Sequence, residues 1–249
     1  MAYDPTKHAG AGLDELDKSS KMPLLNIIQQ MSPQINSKKD QYIEGSKAGD
    51  IFFAPTSEIL DQPIDFLPVA LKTVYVEWKP MDQGGGIVGI HPLDIRNRKD
   101  LGYEQGRKTQ YDEWLGTNEL KKTTYVLGLI ELEGERTEAM LALTSTGQRV
   151  ARKLQDDIIK FRYDGDLKSV KPTVFAREFK LTAAYEENKN GDGYFNWKLS
   201  EPRVLDFEAD EALLELAATK NVDAQAALPS PQAPAVLPAL TVDSDVVPF

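Results

Sequence analysis

The chain has 249 residues, 41% of them hydrophobic, with a formal net charge of −10, two histidines and no cysteine. That is enough apolar material for a real core in one large or two small domains, while the missing cysteines exclude disulfides, iron–sulfur clusters and thiolate zinc sites. His8 and His91 alone exclude a histidine-rich metal centre, so no cofactor is expected and metal chemistry would have to rest on carboxylates.

Residues 1–21 are polar and read as a flexible arm; they contain no apolar signal core, and no stretch reaches the roughly 18 uncharged apolar residues of a membrane span. The expectation is a cytoplasmic protein with no membrane partner. "PLLNIIQQM", Pro23 to Met31, sets Leu24, Leu25, Ile27, Ile28 and Met31 at helical spacing between two prolines, which predicts a short amphipathic helix. "YIEGSKAGDIFFAPTSEIL" predicts two short extended pieces around Gly45 and Gly49.

From Pro63 the period becomes two. Ile64 to Pro80 predicts a long first strand, rich in β-branched and aromatic residues, with Pro68 marking a bulge or an edge. Thr123 to Gly134 and Arg136 to Thr144 predict a second and third strand joined by a turn at Glu133, Gly134 and Glu135. "STGQRVARKLQDDIIKFR" predicts a helix with Ser145 or Thr146 as N-cap and Val150, Leu154, Ile158 and Phe161 on one face. "PTVFAREFKLTAAYEE" and "GYFNWKLSEPRVL" predict a last hairpin across "NKNGDG", which holds the Asn-Gly and Asp-Gly pairs that tight turns favour.

Three strands, a helix and two strands is the chain order of an OB-fold: a five-stranded barrel with one helix between strands 3 and 4, which binds oligonucleotides across its strand 2–3 face between two hairpin loops. The fold class is therefore mainly β. A long insertion between strands 1 and 2, from about 80 to 121, exceeds the usual loop and should overhang that face. It holds "GGG", "RNRK" and "GRK" with Tyr103, Tyr111 and Trp114.

After Leu205 the composition changes. From Asp206 to Phe249 eight acids face Lys220 alone, so this segment carries −7 of the total charge and the first 205 residues are nearly balanced. "DFEADEALLELAATK" predicts an acidic helix, "NVDAQAALPSPQAPAVLPAL" a disordered linker, and "DSDVVPF" a terminal ligand whose ring enters an apolar pocket while basic groups take its charges. Three divisions follow: an arm at 1–21, a domain at 22–205, and an acidic segment at 206–249.

The tip resembles that of bacterial single-stranded DNA-binding proteins, acidic and ending in Pro-Phe after a low-complexity linker. "LKTVYVEWKPMDQGGGIVGIHP", preceded by "GSKAGDIF", is similar to phage-encoded proteins regarded as OB-fold single-stranded DNA-binding proteins. The resemblance implies a protein that coats single-stranded DNA in phage replication, recombination and repair, in the host cytoplasm. Replication and recombination proteins would be recruited through Asp243, Asp245, Val246, Val247, Pro248 and Phe249. The tip has fewer acids than the bacterial one, and the body does not match the bacterial proteins. Self-association is compatible with this reading.

Single strands are held by aromatic platforms and basic grooves. Candidates are Lys72, Tyr75, Trp78 and Lys79 on the first strand, Tyr125 on the second, Arg177, Phe179, Lys180 and Tyr185 on the fourth, and Lys198 on the fifth. Arg96, Arg98, Lys99, Arg107 and Lys108 are candidates in the insertion, although cations interleaved with acids also describe an ordinary solvated loop. Trp197 shares a face with Phe195 and Leu199 and reads as core; Phe179, with Phe175 and Leu181, is open to both readings. No catalytic set is supported: "GYEQGRKT" is one residue short of a phosphate-binding loop, and "EENKNGDGYFNW" has Trp197 where a calcium loop needs glutamate. The rival readings are a single-strand annealing or recombination mediator, a carboxylate-metal nuclease for which "DGD" at Asp164–Asp166 lacks a second cluster, and an adaptor that does not bind DNA.

Overall fold

The computed structural model describes residues 22–229. The five long strands are β4 (Ile64–Trp78), β8 (Asn118–Leu132), β9 (Glu135–Thr144), β10 (Arg177–Glu187) and β11 (Gly193–Val204), with helix α1 (Gly147–Lys160) between β9 and β10. Their ladders are all antiparallel: β4 with β8, β8 with β9, β4 with β10 and β10 with β11. This mainly β sheet curls into a half-barrel. No ladder joins β9 to β11 among the described residues, so the closed barrel expected from the strand order is corrected to an open one.

Local chemistry explains the strand junctions. Leu132 pairs with Glu135, leaving Glu133 and Gly134 at positive φ (52° and 83°) as the two central residues of a tight hairpin. Pro68 does mark a bulge: the β4–β8 register shifts between Pro68 and Ala70. The last hairpin turns through Asn188, whose side-chain oxygen accepts from the amides of Asn190 (2.8 Å) and Asp192 (2.9 Å). In α1, Ala151 and Leu154 are buried and Val150 and Ile158 pack at the core margin, as the 3.6-residue period requires.

The amphipathic helix expected over Pro23–Met31 is instead strand β1 (Leu25–Ile27). It pairs with β2 (Ile51–Phe53), which pairs with β3 (Glu58–Leu60) to complete a small second sheet. Tertiary pairing outweighs local spacing here, because a nine-residue isolated helix is marginal in water. The segment also lies against β9 and β11. Met140 donates its amide to Pro23 (2.7 Å), and the Gln29 amide group bonds the Phe195 backbone in both directions at 2.9 Å.

Two cores lie on opposite faces of the long strands. The inner one joins Phe66, Val126, Ile130, Leu141, Leu143, Phe179 and Leu199 to α1 and the small sheet. The outer one joins Leu67, Val69, Val74, Val76, Tyr125, Leu127, Leu129 and Met140, and is covered by helix α2 (Glu211–Ala227) through Ala217 and Ala224, by Leu228, and by Met22 and Leu24. Asn221–Ala227, read as the start of a disordered linker, is thus helix: Asn221 donates to the Val69 carbonyl at the bulge, and Lys220 pairs with Glu138 on β9 (2.6 Å). The expected tip, Asp243 to Phe249, lies outside the described residues.

Gly128 on β8 faces inward against Phe66. A β-carbon there would meet that ring at 2.4 Å and the Leu67 carbonyl at 2.8 Å, an overlap that only a backbone shift relieves. Gly128→Ala should therefore lower stability by about 1–3 kcal/mol, read as a lower urea midpoint with unchanged m-value. An unshifted midpoint would contradict the packing.

Candidate nucleic-acid interface

The insertion between β4 and β8 widens the sheet at one end. Strand β5 (Ile87–His91) pairs with the last residues of β4, and the hairpin of β6 (Tyr103–Gln105) and β7 (Glu113–Leu115) pairs with the first residues of β8. Tyr75, Ile95 and Leu120 form its apolar core, with Tyr103 and Leu115 at the margin.

Two buried carboxylates organise this lobe. Glu113 Oε1 accepts from the Tyr103 hydroxyl (2.7 Å), Arg96 Nε (2.7 Å) and the Tyr75 hydroxyl (3.2 Å). Burial, then the hydrogen bond to Glu113, pushes the Tyr75 phenol far above its ordinary range. Glu77 accepts from Asn118 (2.6 Å) and meets His91 Nε2 at 2.7 Å. Sequence reading missed both groups, because their partners stand 10 to 41 positions away and no motif links them.

The β6–β7 loop is built on Asp112. Its carboxylate accepts from the amides of Lys108 (2.8 Å) and Thr109 (2.9 Å) and from the Trp114 indole (2.5 Å). Desolvation pushes this carboxyl up, but the Trp114 and amide hydrogen bonds outweigh it and hold the group at about 2. The Arg107 guanidinium carbon and the Lys108 ammonium each lie 4.8 Å from the Trp114 ring centre. Trp114 is only 4% exposed beneath them, whereas Tyr111 is 79% exposed.

The expected binding residues divide into two groups. Tyr75, Tyr125 and Phe179 are 1%, 5% and 2% exposed and offer no stacking face, a correction to the sequence reading. Tyr75 anchors Glu113, Tyr125 lies under the outer cover with its phenol pushed by burial to about 12, and Phe179 belongs to the inner core. Trp78 is half-buried at the margin of the outer core, and Arg177 lies over the Phe161 and Phe179 rings while bonding the Asp157 carbonyl near the end of α1.

Lys79, Arg96, Arg98, Lys99, Arg107, Lys108, Tyr185 and Lys198 are exposed, and Lys72 and Lys180 half-exposed. Arg96, Arg98, Arg107 and Lys180 are already paired with Glu113, Asp100, Glu104 and Asp65 at 2.7 Å. Among the described residues Lys72, Lys79, Lys99, Lys108 and Lys198 have no ion pair. Tyr185 stands on the last hairpin, 5.6 Å edge-on to Phe195 and far in sequence from the lobe. The lobe collects the largest group: Lys79, Arg98, Lys99, Arg107 and Lys108 with Tyr111.

A family model described as Pam3 phage gp34-like protein matches residues 2–224. No curated protein and no solved structure matches the chain. Among the described residues no helix is long and apolar enough to cross a membrane.

A carboxyl lowered by folding adds stability above its ordinary range, and that stability is lost as pH falls through the folded value. The Trp114 indole N–H resonance should therefore hold its position down to about pH 4 and move as pH approaches about 2. A transition centred above about pH 4 would contradict the Asp112 bonds.

Proposed function

We propose that this chain, which belongs to the Pam3 phage gp34-like protein family, binds single-stranded DNA with little sequence preference. It acts without catalysis, in phage replication and recombination, and recruits partner proteins through its C-terminal tip. The observation that carries this reading is the lobe, which holds exposed cations that are free of ion pairs or held in exchangeable surface pairs, and whose β6–β7 loop carries the exposed Tyr111 beside Arg107 and Lys108 in sequence. Exposed ion pairs contribute about 0–1 kcal/mol, so a phosphate can replace the acid at little cost.

An OB-type body is supported by the pairing order of the five long strands, β4 with β8 and β10, β8 with β9, and β10 with β11. Its usual strand 2–3 face corresponds to the outer side of β8 and β9, which α2 and Met22–Leu24 cover. Glu208, Glu211, Glu215 and Asp223 further give that side an exposed acidic surface that repels phosphate. The insertion lobe is left as the binding surface. Lys72 and Trp78 flank it on β4, and Tyr185, Lys180 and Lys198 extend it only for a longer strand.

Titration of labelled oligo(dT) tests the reading. Binding should appear at low salt and weaken as salt rises, and the strand should be recovered uncut in magnesium. Arg107→Ala with Lys108→Ala should weaken binding and reduce the salt slope by about 1.4, roughly 0.7 for each phosphate that is no longer neutralised. A salt-independent affinity would rule out phosphate recognition.

The tip proposal rests on sequence alone: acids, valines and a terminal Phe suit reversible capture by a basic apolar pocket. Deleting Asp243 to Phe249 should abolish retention of replication proteins from a phage-infected lysate while leaving oligo(dT) affinity equal or higher. A truncated protein that still retains them, or that loses DNA affinity, would refute the tip's role.

A further inference from the structure

We infer that the β6–β7 loop, Gly106 to Asp112, is a clamp for one unpaired nucleotide, with Tyr111 taking the base, Arg107 and Lys108 the phosphate, and Asp112 acting as the positioning residue that shapes it. The inference rests on the single-strand reading above and adds the site, its ligand unit and the residue that sets its geometry.

One exposed ring limits the clamp to one base. Trp114, on β7, lies against two cations and is closed to stacking, while Tyr111, three residues before it in the loop, is the most exposed aromatic side chain among the described residues. A base must leave its own stack to lie on such a ring, which selects unpaired strands over duplex. Arg107 is also paired with Glu104 at 2.7 Å, an exposed pair that a phosphate can open.

Asp112 is the unexpected member. A carboxylate beside two cations should oppose phosphate binding if its charge alone mattered. Here its oxygens are engaged by the Lys108 and Thr109 amides, the Thr109 hydroxyl and the Trp114 indole. Those bonds fix the backbone of Lys108 and Thr109 and the plane of Trp114, the ring that Arg107 and Lys108 each approach to 4.8 Å. Charge and positioning therefore give opposite signs for its removal. Glu104 is the matched control, because it pairs with Arg107 and organises no backbone.

The test is oligo(dT) anisotropy at low salt with the full chain, repeated across a salt series, together with each variant's melting temperature. Tyr111→Ala should weaken binding roughly 5- to 100-fold, the range expected when one stacked base is released. Asp112→Ala should weaken binding at least about fivefold although it removes a negative charge, with a near-unchanged salt slope because both cations remain. Asp112→Asn, which keeps one acceptor for the amides, should recover part of that loss, and Glu104→Ala should bind equally or more tightly. If the wild-type chain binds and Asp112→Ala binds equally or more tightly, the clamp is wrong and the single-strand reading survives. If the wild-type chain does not bind at low salt, both fall. A weaker Asp112→Ala with a lowered melting temperature counts for the clamp only if Asp112→Asn, melting as wild type, is also weaker; otherwise it counts against it.

Discussion

Strands β4 and β8 are apolar on both faces, and the rest of the molecule follows from covering them twice. A large aliphatic or aromatic side chain gains about 1.5–3 kcal/mol on burial, so neither Phe66, Val126 and Ile130 inward nor Val74, Val76, Leu127 and Leu129 outward can be left to solvent. The inner set is met by α1 and the small sheet. The outer set is met by α2 and by Met22 and Leu24, segments that flank the barrel strands in sequence. The acidic helix is therefore a structural layer of the body. Its small residues, Ala217 and Ala224, let it lie close to the sheet, and Asn221 satisfies the Val69 carbonyl that the bulge leaves without a ladder partner.

An open half-barrel has two exposed strand edges, which invite pairing with other chains. Three devices occupy the seam between β9 and β11. Pro23 to Gln29 runs along it, with the Gln29 amide acting toward Phe195 as a neighbouring strand's peptide group would. The first turns of α1 close one end, where Gln148 bonds the Leu143 carbonyl and Thr124. On β10 the buried Glu178 binds Arg136 of β9 at 3.0 Å and Arg203 of β11 at 2.9 Å, and Arg203 reaches on to Asp210 at the start of α2. A carboxylate removed from water is tolerated only with such pairing, so the cluster fixes the relative placement of four elements.

With both faces of the sheet covered, the insertion lobe stands at its end. The insertion lobe has a polar interior in which Glu113 and Glu77 are satisfied by Tyr75, Tyr103, Arg96, Asn118 and His91. Such a network holds the base of the β6–β7 hairpin while leaving its loop in water. The loop itself is held by Asp112 and carries Arg107, Lys108 and the exposed Tyr111 ring.

The sequence by itself determined the five long strands, the tight turn at Gly134, an irregularity at Pro68 that the β4–β8 register shows to be a bulge, helix α1 and the cation-rich insertion, because each depends on local periodicity or on one residue's backbone preference. It also contained a signal for the second cover: "FLPVA" and "YVLGLI" are unbroken apolar runs, the mark of strands buried on both faces. Tertiary structure alone decided that Leu24 to Ile27 is extended, since its register with Phe53 and Met140 comes from residues 28 and 116 positions away. It likewise decided that α2 runs through Asn221 to Ala227, that β9 and β11 stay apart, and that Tyr75, Tyr125 and Phe179 are interior while Tyr111 is not. An aromatic residue on a strand looks the same in sequence whether solvent or another layer lies above it, and only the packing of distant segments settles which.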